Sequence, residues 1–135
     1  MKISTKGRYA LRMLLDLAEH SGEGFISIKE ISERQNISRK YLEQIVSLLN
    51  KAEFLQTNRG NMGGYKLVKK PAEYNLGEIL RLTEKSLAVV DCTENPDICE
   101  RSQTCLTFRV WKGLNRVVNE YVDNITLQDI LDGKI

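Results

Sequence analysis

A mostly α-helical fold with one small β-hairpin is predicted by three features of the sequence. Apolar residues recur at helical spacing in several segments, two short alternating segments flank a glycine-rich turn, and a wide apolar stripe follows residue 105. The chain has 135 residues and a hydrophobic content of 41%, which is enough for one compact domain with a real core.

The first two helices are predicted from periodicity and from capping signals. Residues Tyr9 to Ala18 carry apolar side chains at steps of three and four, and the polar stretch 21–24 ends that helix. Ser27 followed by Glu30 forms a capping-box pattern, which predicts a short second helix over residues 28–35.

A third helix is predicted directly after a tight turn at residues 36 and 37. Ser38 is a favourable N-cap, and the helix runs from Arg39 to about Lys51. Two helices joined by such a turn are typical of a helix-turn-helix, whose second helix presents its first residues to base edges in the major groove. An ordinary helical hairpin with a solvated face is the alternative interpretation. The candidate groove-facing residues are Arg39, Lys40, Tyr41, Glu43 and Gln44.

A β-hairpin is predicted next, with strands at residues 54–58 and 65–68. Three helices followed by a hairpin make a winged helix-turn-helix. Arg59 and Gly60 lie at the predicted wing tip, where a basic side chain beside flexible glycines suits phosphate contact or minor-groove insertion. A nucleotide-binding loop is excluded because the G-x-x-x-x-G-K-[ST] pattern is absent and no helix directly follows the glycines.

The second half of the chain is predicted to contain a short helix at 76–82, a long helix after Cys105 and a last short helix at 127–131, capped by Thr126. The apolar stripe of the long helix is too wide for one small domain to cover, so we expect a symmetric homodimer. The stripe comprises Leu106, Val110, Trp111, Leu114, Val117, Val118, Tyr121 and Val122.

These elements predict a division of the chain into three parts. Residues 1–85 form the winged helix-turn-helix domain, residues 86–105 form a cysteine loop, and residues 106–135 form a dimerisation helix with the last short helix.

The charge is divided between the two halves of the chain. Residues 1–70 hold 13 Lys and Arg against 7 Asp and Glu, whereas residues 71–135 hold 7 against 11, so net charges of +6 and −4 give the overall +2. Contact of only the first half with a polyanion is the expectation, although chance variation in solvated faces would look similar. No apolar run is long enough for a membrane span and no signal-peptide pattern opens the chain, so a cytoplasmic protein without membrane contact is expected.

All three cysteines, Cys92, Cys99 and Cys105, fall in one polar segment. Cysteines used only for packing are expected among apolar runs. The C-x6-C-x5-C spacing fits a loop around a metal or an iron–sulfur cluster better than a zinc knuckle, which usually opens with a shorter spacing. A thiol switch and structural cysteines remain alternatives, and a disulfide would leave one thiol unpaired.

The sequence resembles the Rrf-two type of bacterial transcription regulators, which includes IscR-like, NsrR-like, RirA-like and CymR-like members. The similarity covers nearly the whole chain and is closest in pattern to the IscR-like members. It is carried by Met1 to Leu11, Ile31 to Gln35, Tyr41 to Gln44, Arg59 to Tyr65, Gly77 to Ile79, Cys105 to Thr107 and Asn124 to Leu127.

The resemblance implies a homodimeric winged-helix DNA binder whose cysteines hold a [2Fe-2S] or [4Fe-4S] cluster. It implies that Tyr41, Glu43 and Gln44 sit at the major groove and Arg59 at the minor groove. The pattern departs at the fourth ligand. Where IscR-like members have a histidine this chain has Phe108, and where NsrR-like members have an aspartate it has Arg8.

The fourth ligand is therefore unknown. The candidates are a loop carboxylate, a residue of the partner chain or a small molecule, and His20, the only histidine, lies far from the loop in sequence. The loop carboxylates are Asp91, Glu94, Asp97 and Glu100.

The leading functional prediction is a regulator that senses iron–sulfur supply, iron, redox state or nitric oxide through its cluster. The alternative is a cluster-free regulator of the CymR type, switched by thiol oxidation or zinc. A small iron–sulfur redox protein is a different class, but electron-transfer clusters are normally held by four thiolates. Catalysis is not expected, because no histidine lies near the cysteines to act as a base.

Overall fold

The computed structural model describes all 135 residues and contains six α-helices and one antiparallel hairpin. The predicted mostly helical architecture with a winged helix-turn-helix is confirmed. Two 3-10 turns, Asp91–Thr93 and Pro96–Ile98, lie in the cysteine loop. The elements are α1 Thr5–Glu19, α2 Ile28–Gln35, α3 Arg39–Lys51, β1 Leu55–Asn58, β2 Gly64–Leu67, α4 Leu76–Thr83, α5 Phe108–Asp123 and α6 Leu127–Leu131.

The helix starts follow the capping side chains. Ser27 and Glu30 form the predicted reciprocal capping box, and the Ser38 hydroxyl accepts a hydrogen bond from the backbone N–H of Tyr41. Asn36 takes the left-handed conformation between α2 and α3, which an asparagine tolerates better than most residues. Helix α1 begins four residues earlier than predicted, because Ser4 caps it before the apolar repeat starts.

The hairpin pairs Leu55 with Leu67 and Asn58 with Gly64. A third segment joins it, because Ile26 and Tyr65 exchange backbone hydrogen bonds of 2.9 and 2.8 Å. A Cβ at Gly64 would stand only 2.2 Å from the carbonyl oxygen of Ile26, so this close approach requires glycine. The wing is therefore anchored to the segment that precedes α2.

The hydrophobic core lies between α1, α2, α3 and the base of the wing. Tyr74, which is fully buried, holds the wing to this core: its hydroxyl donates to the Phe54 carbonyl at 2.7 Å and accepts from the N–H groups of Val68 and Lys69. Burial raises the pKa of Tyr74, so the phenol stays neutral.

Helix α6 folds back into the same core. Leu127 is completely buried there, and its N–H donates to the Tyr74 carbonyl at 3.0 Å. The Ile125 carbonyl in turn accepts from the N–H of Leu76 at 2.8 Å. The core thus contains residues from both ends of the chain. The division of the chain into a DNA-binding domain, a cysteine loop and a dimerisation part stays a prediction.

Helix α5 packs against α4 at its C-terminal end. Arg81 bonds the Asp123 carboxylate through two nitrogens, at 2.6 and 3.0 Å, and the Asn119 side chain at 2.7 Å. Val122 is buried in a small cluster with Leu80 and Leu87. Val122 is therefore the part of the predicted apolar stripe that its own chain covers. No helix is long and apolar enough to cross a membrane.

Candidate functional site

The first turns of α3 carry four exposed polar side chains that have no side-chain partner within the chain. Arg39, Lys40, Glu43 and Gln44 are all exposed, and none makes an ion pair or a side-chain hydrogen bond within the chain. Helix α3 buries its opposite face in the core through Leu42, Ile45, Val46 and Leu49. The helix is thereby held rigidly with its polar face outward, as a recognition helix requires.

Tyr41 differs from the other predicted contact residues, because it is half-buried. Its ring packs edge-to-face on Tyr9 with 5.5 Å between the ring centroids. The Arg12 guanidinium lies 5.2 Å from the Tyr9 ring centroid. Tyr41 therefore joins the start of α3 to α1, and only part of its side chain is free for a ligand.

A buried carboxylate fixes α2 against α1. Asp16, 1% exposed, accepts hydrogen bonds from Arg34 at 2.7 and 3.0 Å and from the Gln35 side chain at 2.9 Å. Arg12 bonds the Gln35 side chain at 3.2 Å and also its backbone carbonyl near the end of α2. This network sets the angle of the helix-turn-helix relative to α1.

The Asp16 network predicts a loss of stability in acid. Burial raises the pKa of Asp16, but hydrogen bonds from Arg34 and Gln35 and the charge of Arg34 outweigh it, and the pKa is lowered. The stabilisation is thus present above the unfolded pKa of about 4 and lost as the pH falls through the folded value. Asp16→Asn is expected to cost about 2–4 kcal/mol at neutral pH and to flatten the acid dependence.

Urea unfolding from pH 7 to pH 2 measures both effects. Glu19→Gln is the matched control, because Glu19 is an exposed carboxylate on α1 that makes no ion pair or side-chain hydrogen bond. Equal stability of Asp16→Asn and the parent across this range would show that the buried pair does not fix α1 to α2.

His20 belongs to this network rather than to the cysteine loop. Its Nδ1 lies 2.8 Å from the Asp16 carbonyl oxygen and 3.8 Å from a carboxylate oxygen of the same residue. These contacts account for the position of the His20 ring at the end of α1, so no metal is needed to explain it.

The wing presents Arg59 and Gly60 at its exposed end. The Arg59 side chain makes no hydrogen bond or ion pair within the chain, so its guanidinium is free. Gly60 has a φ of 112°, a conformation that side chains with a Cβ rarely adopt. Arg59 therefore has a neighbour without a side chain at the exposed end of the wing.

The cysteine loop presents three free thiols on irregular backbone. Cys92 and Cys105 are half-buried, and Cys99 is exposed. Cys92 lies in the first 3-10 turn, Cys99 directly follows the second, and Cys105 comes three residues before α5. A hydrogen bond from the Thr107 hydroxyl, at 3.1 Å, lowers the pKa of Cys105, with help from two backbone N–H groups and from Arg101.

The chemistry of this donor set fits an iron–sulfur cluster, since three thiols without packing roles lie in one loop. No group of three Cys, His, Asp or Glu side chains is arranged to hold a metal ion. Convergence of the three thiols on one cluster therefore needs rearrangement of the loop. Phe108 is half-buried at the first position of α5, and the loop carboxylates are exposed.

An apolar stripe lies uncovered along α5. Val110, Leu114, Val117 and Tyr121 are between 46% and 61% exposed, and Trp111 is 37% exposed. Leu106, which was predicted as part of the helix, precedes it and is 90% exposed. A separate exposed face of α5 carries the polar residues Arg109, Lys112, Arg116 and Glu120. This leaves one side of the helix strongly apolar in contact with solvent.

A hydrogen-bonded link joins the start of α1 to the segment that leads into the cysteine loop. One carboxylate oxygen of Glu84 accepts from the Ser4 N–H at 3.0 Å and from its hydroxyl at 2.8 Å. A Cβ at Gly7 would stand 2.2 Å from that oxygen, so a larger residue there would displace the Glu84 carboxylate from Ser4. Sequence reasoning missed this link, because the two partners lie 80 residues apart.

Comparisons with known proteins agree with this architecture. Residues 3–133 match the family described as "Rrf2: Iron-dependent Transcriptional regulator". The chain is 37% identical over 134 residues to the HTH-type transcriptional regulator IscR of Sodalis glossinidius, covering 99% of this chain and 81% of that protein.

Two solved structures are similar along nearly the full length. IscR of T. potens superposes with a TM-score of 0.79 at 37% identity, covering 100% of this chain and 89% of that one. CymR of B. subtilis, the global cysteine regulator, superposes with a TM-score of 0.78 at 38% identity, covering 96% and 95%. These proteins are transcription regulators and not enzymes. The chain belongs to the Rrf2 family of transcription regulators.

Proposed function

We propose that this regulator is a homodimer that binds operator DNA and senses through an iron–sulfur cluster held by Cys92, Cys99 and Cys105. The observation that carries the proposal is the position of the thiols. All three are free and lie in the one segment that connects α4 to α5. Because that segment leads directly into α5, a change in its conformation would be transmitted to the proposed dimer helix.

The proposed DNA contacts come from two elements. The polar face of α3 would enter the major groove with Arg39, Lys40, Tyr41, Glu43 and Gln44, while Arg59 and Gly60 of the wing would reach the minor groove. A homodimer would place two recognition helices about one helical turn apart on a pseudo-palindromic site. A DNA regulator acts where the chromosome lies, so we propose a cytoplasmic location.

Cys92, Cys99 and Cys105 would hold the cluster, and the fourth ligand is left to a loop carboxylate, the partner chain or a small molecule. When bound, the cluster supplies iron that responds to oxygen, nitric oxide or iron supply. Carboxylate is a harder ligand for iron than thiolate or imidazole, so a site completed by it would exchange that ligand readily. Such exchange suits a sensor more than a permanent redox centre.

A cluster-free switch of the CymR type is the second candidate. Its thiol-oxidation form is favoured by two observations: no preformed metal-binding group is present, and Phe108 stands where IscR-like members carry histidine. Purification without oxygen separates the two candidates. Visible absorption with matching iron and sulfide counts would support the cluster, whereas a colourless protein with a reversible thiol oxidation or bound zinc would support the switch.

The wing and the recognition helix give the DNA prediction. Arg59→Ala is expected to cost about 1–3 kcal/mol of specific binding, because it would remove a minor-groove contact. Gln44→Ala and Tyr41→Phe are expected to change sequence preference more than overall affinity; the phenylalanine keeps the ring packing on Tyr9 and removes only the hydroxyl.

Both effects are measured on DNA that the parent protein selects from a randomised pool. Arg116→Ala on α5 is the matched control, since it removes an exposed arginine outside the proposed interface. Identical affinity and identical selected sequences for the parent and all three variants would exclude this docking arrangement.

A further inference from the structure

The apex of the wing is a closed turn with one large apolar side chain. The N–H of Gly63 donates to the Gly60 carbonyl at 2.9 Å, which closes a four-residue turn with Asn61 and Met62 at its two corners. A Cβ at Gly63 would stand 2.4 Å from the Asn58 carbonyl oxygen, so the chain crosses tightly beneath the turn. The side chains of the two corner residues, Asn61 and Met62, therefore project outward into solvent.

Met62 is 88% exposed and belongs to neither hydrophobic cluster. The hairpin that carries it is anchored at its base by Tyr74 and by the bridge between Ile26 and Tyr65. Met62 is thus an exposed apolar side chain at the tip of a hairpin whose base is anchored to the core. Packing within the chain does not explain a methionine at this position.

The charge around Met62 favours nucleic acid as its contact. Residues 54–70 include four basic side chains and no acidic one. Arg59 precedes the apex turn and Asn61 forms its other corner; both are exposed, and these residue types are used to read the minor groove. Methionine is unbranched and polarizable, so it fits against the flat faces of bases.

We propose that Met62 inserts between two base pairs from the minor groove and acts as a wedge when the wing docks. This inference rests on the proposed function, since it requires that the wing meet the minor groove of an operator. Apolar wedges of this kind partly unstack a base step and bend the duplex. Met62 would then favour sites with an easily opened pyrimidine–purine step under the wing.

Affinity is tested on duplexes that the parent protein selects from a randomised pool. Met62→Gln keeps the length of the side chain but removes its apolar end, and it is expected to weaken binding by on the order of tenfold. Met62→Leu keeps an apolar wedge and is expected to stay within about threefold of the parent. Val68→Gln is the control, because Val68 is an exposed apolar residue on the same hairpin but below the apex.

Unstacking is tested by placing 2-aminopurine at successive positions under the wing. The parent and Met62→Leu are expected to raise its fluorescence at one base step, and Met62→Gln is expected not to. If Met62→Gln binds with the affinity of the parent and gives the same fluorescence, the wedge is refuted. If the parent selects no DNA from the pool, the proposed function itself fails. Circular dichroism establishes that each variant is folded.

Discussion

Replacing any one of Cys92, Cys99 or Cys105 by Ala is expected to abolish the binding of iron and sulfide while leaving the folded dimer intact. Each thiol lies outside the hydrophobic core, so its removal costs little packing. Two thiolates with weak additional donors are a poor ligand set for a cluster that normally takes four. The measurement is iron and sulfide content after reconstitution without oxygen, with sedimentation to determine the assembly.

Ser102→Ala is the matched control, since it removes a polar side chain from the same loop without touching a thiol. Phe108→His is expected to slow the loss of iron to a chelator, because imidazole at the first position of α5 would supply the missing ligand. Full iron content in Cys99→Ala would refute the ligand assignment. Equal operator affinity of the loaded and unloaded parent would refute sensing.

Placing a charge on the α5 stripe is expected to convert the protein into monomers. Val117 is 55% exposed in the single chain, so Val117→Asp does not disturb its core. In a dimer that covers the stripe, the same carboxylate would be buried without a partner, which costs far more than most interfaces can offset. Sedimentation at micromolar concentration measures the assembly, and circular dichroism establishes that the variant is folded.

Arg116→Asp tests whether position on the helix decides the outcome. It places a carboxylate one residue away, on the polar face beside Glu120, and changes the net charge by two units where Val117→Asp changes it by one. We expect Arg116→Asp to remain dimeric and to bind operator DNA, whereas Val117→Asp loses both properties. A monomeric parent protein under the same conditions would show that the stripe serves another purpose.

Local signals predicted the helices well where capping and periodicity coincide. Helix α2 begins and ends as predicted because Ser27 and Glu30 satisfy each other within one turn. Helix α1 begins earlier than its apolar repeat suggested, because its first turn depends on Ser4, whose hydroxyl also reaches Glu84. A contact between residues so far apart produces no periodic pattern in the sequence, so periodicity could not predict it.

The proposed DNA-contact residues were foreseen from the sequence to different degrees, for the same reason. The identities of Arg39, Gln44 and Arg59 were apparent from their positions beside predicted turns, and their exposure agrees with that. The prominence of Met62 depends on the hydrogen bond that closes its turn, which a single sequence does not display. The spacing of the cysteines suggested a ligand set, but spacing does not determine where the thiols meet.

The place of Leu127 in the core has a consequence for the biosynthesis of this protein. Leu127 lies in one cluster with Ala10 and Met13 of α1, and α1 and α6 are in contact. At translation rates of ~5–20 residues per second, Leu127 is added roughly 6–23 seconds after Ala10. During that interval the nascent chain holds an incomplete core, and its helix-turn-helix lacks a supporting residue. Newly made protein therefore reaches a fully packed core only once α6 has left the ribosome.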